Sequence, residues 1–459
     1  MAERPQDTER SSRVLRDPIP VVPIQGLTRP FVRFLHVESA SGVVLAACTV
    51  IAIILANSRW ADPYRTFWDQ SARIGIGSHA LDYPLWYWVN DGLMTIFFFV
   101  IGLEIKREVT SGELRDRRKL ALPVVAAIGG ALVPAAIYAA LQWGGPGRRG
   151  WAIPMATDIA FVVGCLVLLG KRVPAGLRIF VLTVAIVDDI LAVSVIAVFY
   201  TESITLAWIL AAAAGFGLTT LLNRLGVRPV TVYVLVGVGI WFCTLKSGVH
   251  PTIAGVLLGL LTPASAWLGS NSLLEVIDGA ADTLQHGAKP EQTALLHQMR
   301  LASREIVSPL ERLEVALHPW VGFVIIPIFA LANAGVPIAV DALVDPVAIA
   351  VAAGLVIGKP VGIVASAWLT IRLSWSALPA GVSWPALAGA GCLAGIGFTV
   401  SLFVASLGLE GDTLLTAKSG ILTGSAISGI LGLVILIRVL QPHAPAVAPE
   451  PELPEPGRL

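Results

Sequence analysis

The sequence predicts an all-α polytopic membrane protein of about twelve transmembrane helices, with inverted three-helix repeats whose interrupted helices are the fourth and the eleventh. The first observation is composition: 55% of the 459 residues are hydrophobic, and the mean hydropathy is +0.77. The second is charge, because only 14% of the residues are charged, against about 25% in a typical soluble domain. Such a chain lacks the polar surface to face water on all sides. Its net charge of +1 implies no nucleic-acid partner.

Hydrophobic stretches of about 17–25 residues recur along the chain, each long enough to cross a hydrocarbon core of about 30 Å. The predicted spans are residues 38–57, 84–105, 120–143, 151–170, 179–200, 206–222, 229–245, 248–265, 319–338, 347–371, 385–408 and 417–439. They predict one membrane domain over about residues 33–439. The charged tail 1–32 has no apolar signal-peptide core, and the proline-rich tail 440–459 is predicted to be disordered.

Basic residues fix the predicted orientation. Six arginines precede the first span, and a second basic cluster follows the second span at residues 106–119. Loops on the opposite side are poorer in Lys and Arg, so both termini are predicted to be cytoplasmic. Two segments lie outside the helical pattern: residues 58–83 form an external loop with a possible short hairpin, and residues 266–316 form a polar cytoplasmic loop.

The four cysteines all lie inside apolar runs, without paired spacing and without neighbouring histidines. This pattern is typical of small core residues. It indicates neither disulfide bonds nor a zinc site, and no cofactor is expected.

Four charged residues lie deep in otherwise apolar spans: Asp158, Asp188, Asp189 and Lys359. A charge near the bilayer centre costs about 2.5–3.5 kcal/mol, so the four together would cost on the order of 10 kcal/mol if unpaired. A purely structural membrane protein has little reason to carry them. They are therefore the candidate functional residues.

Asp188 and Asp189 lie near the middle of the fifth span, in AIVDDILAV. Adjacent residues on a helix point about 100° apart, so both can line one cavity. Two neighbouring carboxylates cannot easily both be ionised, and their oxygens are the ligands that hard cations prefer. Such a pair binds protons or a cation in competition, which is the chemical basis of cation/proton exchange.

Two spans are predicted to be interrupted. Thr157 and Asp158 follow Pro154 in the fourth, and GIGFT at residues 395–399 falls in the eleventh. Residues 120–200 and 347–439 each contain three spans with the interrupted one second, and they start on opposite sides. This indicates an inverted repeat, and paired interrupted helices are the sequence pointer to a transporter's binding site. Asp158 and Lys359 could compensate the helix ends that meet there.

These residues lie in strings that closely resemble NhaA-type sodium/proton antiporters, a family that is itself an example of the repeat rule just used. The match runs in order over about residues 33–438. The strings are WVNDGLM, FFFVIGLEIKRE, WAIPMATDIAF, AIVDD, LKSGVHPTIAGV, LERLEVALHPWV, FALANAGV, LVIGKP and CLAGIGFTVSLFVASL.

The resemblance implies specific roles. Asp188 and Asp189 correspond to the family's ion and proton site, and Lys359 to the lysine that pairs with the first aspartate. Thr157 and Asp158 correspond to the interruption of the fourth helix. The implied substrates are Na⁺, Li⁺ and protons, exchanged across a bacterial inner membrane.

The resemblance also implies pH regulation and a homodimer. Residues Glu104, Lys106, Arg107 and Glu108 match the family's cytoplasmic-mouth cluster, and Glu314, His318 and the external-side His250 fall in further matching stretches. Ordinary positive-inside anchoring is the alternative reading of these charges. Val315 departs from the family pattern, because it lies in the pH-linked stretch at a position where the resemblance leads us to expect a titratable residue. Segment 58–83 matches the hairpin that joins two subunits.

The implied function is a secondary transporter, not an enzyme, that exchanges cytoplasmic Na⁺ or Li⁺ for external protons by alternating access. Two protons per Na⁺ would make the exchange electrogenic. Three alternatives stay open: an intramembrane aspartyl protease, whose GxGD string is absent, a cation channel, and a transporter of the same fold for K⁺ or an organic substrate.

Overall fold

The computed structural model describes residues 38–75, 80–112, 117–201, 204–227, 229–266, 307–337 and 340–440. The two predicted tails lie outside the described residues, as does most of the predicted 266–316 loop. Within the described residues the chain is almost entirely helical, so the prediction of an all-α membrane protein is confirmed.

The helices follow one another along the chain with short connections. We number them α1 Glu38–Ala56, α2 Ala61–Asp69, α3 Leu85–Thr110, α4 Arg117–Leu141, α5 Ile159–Leu169, α6 Ala175–Phe199, α7 Leu206–Arg224, α8 Val230–Ser247, α9 Pro251–Leu261, α10 Pro309–Asn333, α11 Pro346–Arg372, α12 Trp384–Ala394, α13 Phe398–Gly408 and α14 Gly411–Val439. A 3-10 helix, Arg148–Met155, precedes α5, and a single turn, Val340–Leu343, precedes α11.

Nine helical stretches in the described residues are long and apolar enough to cross a membrane, or eleven if each of two bent pairs counts as one span. The predicted span 248–265 coincides with α9, a shorter apolar helix of 11 residues. The number of twelve crossings and the inverted repeat therefore stay predictions. Helix α10 starts ten residues before the predicted span at 319, because Ser308 and Glu311 form a reciprocal capping box at its N-terminus.

The hairpin predicted in segment 58–83 is present, while its placement on the external side stays a prediction. Strand β1, Ser71–Ile74, pairs antiparallel with β2, Leu81–Pro84. The hairpin is attached to α3, since the Trp88 indole N–H donates to the Ala72 carbonyl at 3.0 Å. We call this end of the helices the hairpin end, and the end that carries Arg107 of α3 the opposite end. Helix α2, which precedes β1, is an element that the sequence did not predict.

Helices α10 and α11 each contain a π-helical turn just before a proline, at Val321–Ile325 and Gly354–Gly358. Pro327 and Pro360 cannot donate to the carbonyl four residues earlier, and that carbonyl lies within the π turn in both helices. The extra residue per turn relieves the clash. In α11 it sets the direction of Lys359, the first residue after the turn.

Helices α4 and α11 pack with their backbones in contact. A Cβ atom on Gly362 would lie 2.8 Å from the Gly129 carbonyl carbon, and one on Gly358 would lie 2.6 Å from the Pro134 Cα. Only glycine fits at both positions, because real Cβ contacts are longer than this. The close approach holds the middle of α11, with Lys359, at the centre of the helix bundle.

Candidate functional site

The polypeptide leading into α5 is interrupted as predicted. The 3-10 helix ends at Met155, and the backbone from Ala156 to Asp158 is extended before α5 begins. Pro154 lies in the last turn of the 3-10 helix, where it removes one backbone donor. The extended residues Ala156, Thr157 and Asp158 are all buried, so their backbone groups depend on protein partners.

Helices α12 and α13 form the second interruption, with a bend of 46° between them at residues 395–397. Gly397 lies against the first interruption: a Cβ atom there would be 3.0 Å from the Ala156 carbonyl oxygen. The two interruptions thus pack directly on each other. Broken helices of this kind occur in membranes only where they are buried or line a cavity.

Asp158 joins the two interruptions. Its backbone N–H donates to the Ile396 carbonyl at 2.7 Å. Its carboxylate accepts from the Thr399 N–H at 3.0 Å, the Thr399 hydroxyl at 2.5 Å and the Phe161 N–H at 3.3 Å. The carboxylate therefore faces the N-terminal turns of both α5 and α13, where a negative charge stabilises the helix dipole.

Thr157 provides a hydrogen-bond donor for a helix C-terminus. Its hydroxyl oxygen lies 2.8 Å from the Ala394 carbonyl, at the C-terminus of α12, and 2.7 Å from Asp188 Oδ2. One hydroxyl proton is shared between these two acceptors. Thr157 thus connects the interrupted helices to the aspartate pair on α6.

Asp188 forms an ion pair with Lys359, whose ammonium donates to Asp188 Oδ2. Both side chains are fully buried, at 0% exposure. Breaking such a pair by removing one partner is strongly destabilising, at about 3–5 kcal/mol, because the other charge is left buried. In the described structure Lys359 contacts Asp188, and the interrupted helix ends are satisfied by Asp158 and Thr157.

The second oxygen of Asp188, Oδ1, is buried and has no hydrogen-bond partner among the described residues. Asp189 is also buried, at 4% exposure, and the negative charges of Glu104, Asp188 and Asp158 act on it, opposed by the positive charge of Lys359. A buried carboxylate oxygen without a donor, beside a second buried carboxylate, favours a bound proton or cation. The buried oxygen therefore points to an exchangeable ligand.

The residues predicted for pH regulation are divided between the two ends of the molecule. At the opposite end, Arg107 of α3 forms ion pairs with Glu108, at 3.4 Å, and with Glu314 of α10. His318, one turn after Glu314, is exposed. His250 is the half-buried N-cap residue of α9 and lies away from this cluster.

A further polar group at the hairpin end was not predicted from the sequence: Asn90, Asp91 and Asn333, which are buried, and Lys418, which is half-buried. Two of these residues, Asp91 and Lys418, are charged and belong to apolar spans, so the same criterion could have found them. They were overlooked because each lies within two turns of the end of its apolar run, where a charge is ordinarily solvated.

In this all-α membrane protein two interrupted helices cross each other beside a buried pair of carboxylates. This arrangement is typical of secondary ion transporters. Comparison with known proteins agrees. The sequence model of the Na⁺/H⁺ antiporter 1 family matches residues 32–436, and the chain therefore belongs to this family.

Its relatives include the Na⁺/H⁺ antiporter NhaA of Rhodopirellula baltica, 50% identical over 93% of this chain and 97% of the relative. The Na⁺/H⁺ antiporter NhaA 2 of Acidiphilium cryptum is 46% identical over 94% of this chain and 96% of the relative. The Na⁺/H⁺ antiporter NhaA of Rhizobium meliloti is 44% identical over 93% and 98%.

Proposed function

We propose that this chain exchanges cytoplasmic Na⁺ or Li⁺ for external protons by alternating access, with Asp188 and Asp189 as the shared binding site. Family membership supports Na⁺/H⁺ exchange. The observation that carries the assignment of the site is Asp188 Oδ1, a buried carboxylate oxygen to which no donor in the described part of the chain is bonded. It lies where the two interrupted helices cross.

The donor set suits a small hard cation. Two carboxylates and the Thr157 hydroxyl supply only oxygen atoms, which Na⁺ and Li⁺ prefer over nitrogen or sulfur. A bound cation and a bound proton neutralise the same charges, so each displaces the other. Competition for one site, without any covalent step, is sufficient for exchange when the site opens to each side of the membrane in turn.

Lys359 can take part in the proton count. When Asp188 binds a cation, its contact with the Lys359 ammonium weakens, and a buried ammonium without a counter-charge is destabilised. Lys359 can then release a proton. Either Lys359 or Asp188 is the carrier of the second proton, and the contacts are compatible with both.

Access in the described conformation is favoured from the opposite end. Glu104 is half-buried on α3 between the Arg107 ion pairs and Asp189, on which its charge acts. Toward the hairpin end the rings of Phe98, Phe329 and Phe403 are buried and packed together. The predicted orientation puts the opposite end in the cytoplasm, so this arrangement is consistent with a cytoplasm-facing state.

The ion pairs at the opposite end support pH regulation. Helices α3 and α10 are linked there by the ion pair between Arg107 and Glu314, and loss of this ion pair would free α3 to move relative to α10. Rearrangement of α3 and α10 would then change access to Asp189. This charged cluster belongs to the cytoplasmic side in the predicted orientation, in which both termini are cytoplasmic and the membrane is the bacterial inner membrane.

Proton movement in everted membrane vesicles tests the function. Vesicles from an antiporter-deficient bacterium expressing this chain should lose their pH gradient when Na⁺ or Li⁺ is added, over a limited range of pH. Asp189→Asn should abolish the response, because it removes a charge needed for both ligands. Exchange of K⁺ or of an organic cation in place of Na⁺ would contradict the assigned substrate, and an active Asp189→Asn variant would contradict the site.

Charge movement is tested by voltage. If two protons replace each Na⁺, one net charge crosses per cycle. A potential imposed on proteoliposomes, positive on the side that protons enter from, should then accelerate Na⁺ export. A rate of Na⁺ export that does not change with the imposed potential would indicate electroneutral exchange and contradict the two-proton stoichiometry.

The hairpin β1–β2 supports a homodimer. It is a two-stranded sheet with exposed edges, and unpaired edges favour pairing with another chain. Deletion of residues 71–84 should convert the detergent-purified protein from dimer to monomer in analytical ultracentrifugation. A dimer that persists without the hairpin would place the interface elsewhere.

A further inference from the structure

The polar group at the hairpin end is not explained by the exchange site. We define the hairpin-end cluster as Asn90 of α3, Asn333 of α10 and Lys418 of α14. Asn90 and Asn333 are 5% and 4% exposed. All three belong to membrane-spanning helices from distant parts of the sequence.

The contacts in the cluster are directional. The Asn333 amide donates to Asn90 Oδ1 at 2.7 Å and to the Phe329 carbonyl at 3.2 Å. Both amide protons are then used, and the remaining acceptor, Asn333 Oδ1, receives the Lys418 ammonium at 3.4 Å. The two amide side chains are thereby oriented so that the Asn333 Oδ1 oxygen can contact a cation. In this structure the cation is the ammonium group of Lys418.

Lys418 is half-buried and lacks the carboxylate partner that a lysine inside a membrane span normally has. Among the described residues no carboxylate lies within ion-pair distance of its Nζ. It lies seven residues into α14, which corresponds to a depth of about 10 Å from the helix start. A lysine without a counter-ion inside a membrane span is energetically costly. This cost indicates a function for the charge.

The backbone around Asn90 also departs from regular helix. Asn90 and Asp91 lie in a π-helical turn, Trp88–Leu93, and such turns are frequent at functional sites. The Asp91 carbonyl accepts from the Trp241 indole N–H at 3.0 Å and from the Thr95 hydroxyl at 2.6 Å. The turn is thus held in place from two sides.

The cluster lies on the hairpin-end side of three packed aromatic rings, those of Phe98, Phe329 and Phe403. Helix α13 starts at Phe398, beside the Asp158 contact, and runs toward the hairpin end. Its Phe403 ring packs on Phe98 at 5.3 Å and on Phe329 at 6.5 Å between centroids. Asn333 is one turn beyond Phe329, about 6 Å along α10. The three rings separate the cluster from the buried carboxylates in this conformation.

We propose that the hairpin-end cluster is a release site for the transported cation, in which the fixed charge of Lys418 lowers the affinity of the outward-facing protein for Na⁺. The inference rests on the proposed Na⁺/H⁺ exchange. Once the aromatic layer opens, Na⁺ leaving the carboxylate pair meets the amide oxygens of Asn90 and Asn333. There it competes with an ammonium that cannot leave, so rebinding from outside is disfavoured.

A structural role for the cluster is the rival interpretation, in which the hydrogen bonds only hold α3, α10 and α14 together. The two interpretations differ in sidedness. Loss of structural support would alter Na⁺ affinity from both faces of the membrane or lower the yield of folded protein. Loss of a local repulsive charge would alter affinity from the hairpin-end face alone.

Na⁺-dependent proton exchange is therefore measured in everted and in right-side-out vesicles, so that added Na⁺ meets one face or the other. The variants are Lys418→Met, which keeps the apolar stem, and Lys418→Arg, which keeps the charge. Lys246→Met is the matched control, because Lys246 is an exposed lysine at the hairpin end of α8, beside Phe242.

Lys418→Met should lower the half-maximal Na⁺ concentration at the hairpin-end face on the order of tenfold, the effect of one unit charge over several ångströms at intermediate dielectric constant. The value at the opposite face should change little. Lys418→Arg and Lys246→Met should both retain the wild-type ratio between the faces.

An unchanged ratio in Lys418→Met, or equal shifts at both faces, would overturn the inference. If Lys418→Met does not fold into the membrane, Asn333→Asp is the alternative test. A carboxylate beside the ammonium neutralises its charge, so this variant should also lower the half-maximal Na⁺ concentration at the hairpin-end face. A wild-type chain that exchanges no Na⁺ at either face would contradict the proposed function itself, which distinguishes the two failures.

Discussion

Backbone groups freed by two interrupted helices must find partners at the centre of the bilayer, where water cannot supply them. Asp158 accepts from the N-terminal turns of α5 and α13, while Thr157 donates to the C-terminal carbonyl of α12. A single aspartate thus stabilises two helix N-termini that belong to separate halves of the sequence. Without Asp158, the backbone N–H groups at the crossing would be left unpaired and away from water. The packing of the interrupted helices around Asp188 and Asp189 would then be disturbed.

The exchange site follows from this crossing. Thr157 carries the connection from the interrupted helices to Asp188, and Lys359 reaches Asp188 because α11 packs backbone to backbone on α4 through Gly362. Two carboxylates and one ammonium leave a net negative charge inside the bundle. A mobile cation or proton completes the charge balance, so the ligand is part of what stabilises each conformation. In the proposed mechanism, transport then requires only that the two conformations open on different sides of the membrane.

Much of this could be predicted from residue patterns. Apolar runs fixed most helices, and charges inside them identified Asp158, Asp188, Asp189 and Lys359. Sequence could not show that Asp158 bridges both interruptions, because that contact joins residues 241 positions apart. It also missed Lys418, since a charge near the end of an apolar run is usually solvated. The start of α10 was displaced because a capping box extended the helix beyond its apolar part.

Proton release on cation binding is the most direct measure of a shared site. Isothermal titration calorimetry of Na⁺ into the purified protein, in buffers of different ionisation enthalpy, gives the number of protons released per Na⁺ bound. Competition at Asp188 and Asp189 predicts release of at least one proton per Na⁺, and loss of both binding and release in Asp189→Asn. Saturable Na⁺ binding that releases no proton at any pH would contradict the competition on which the exchange mechanism depends.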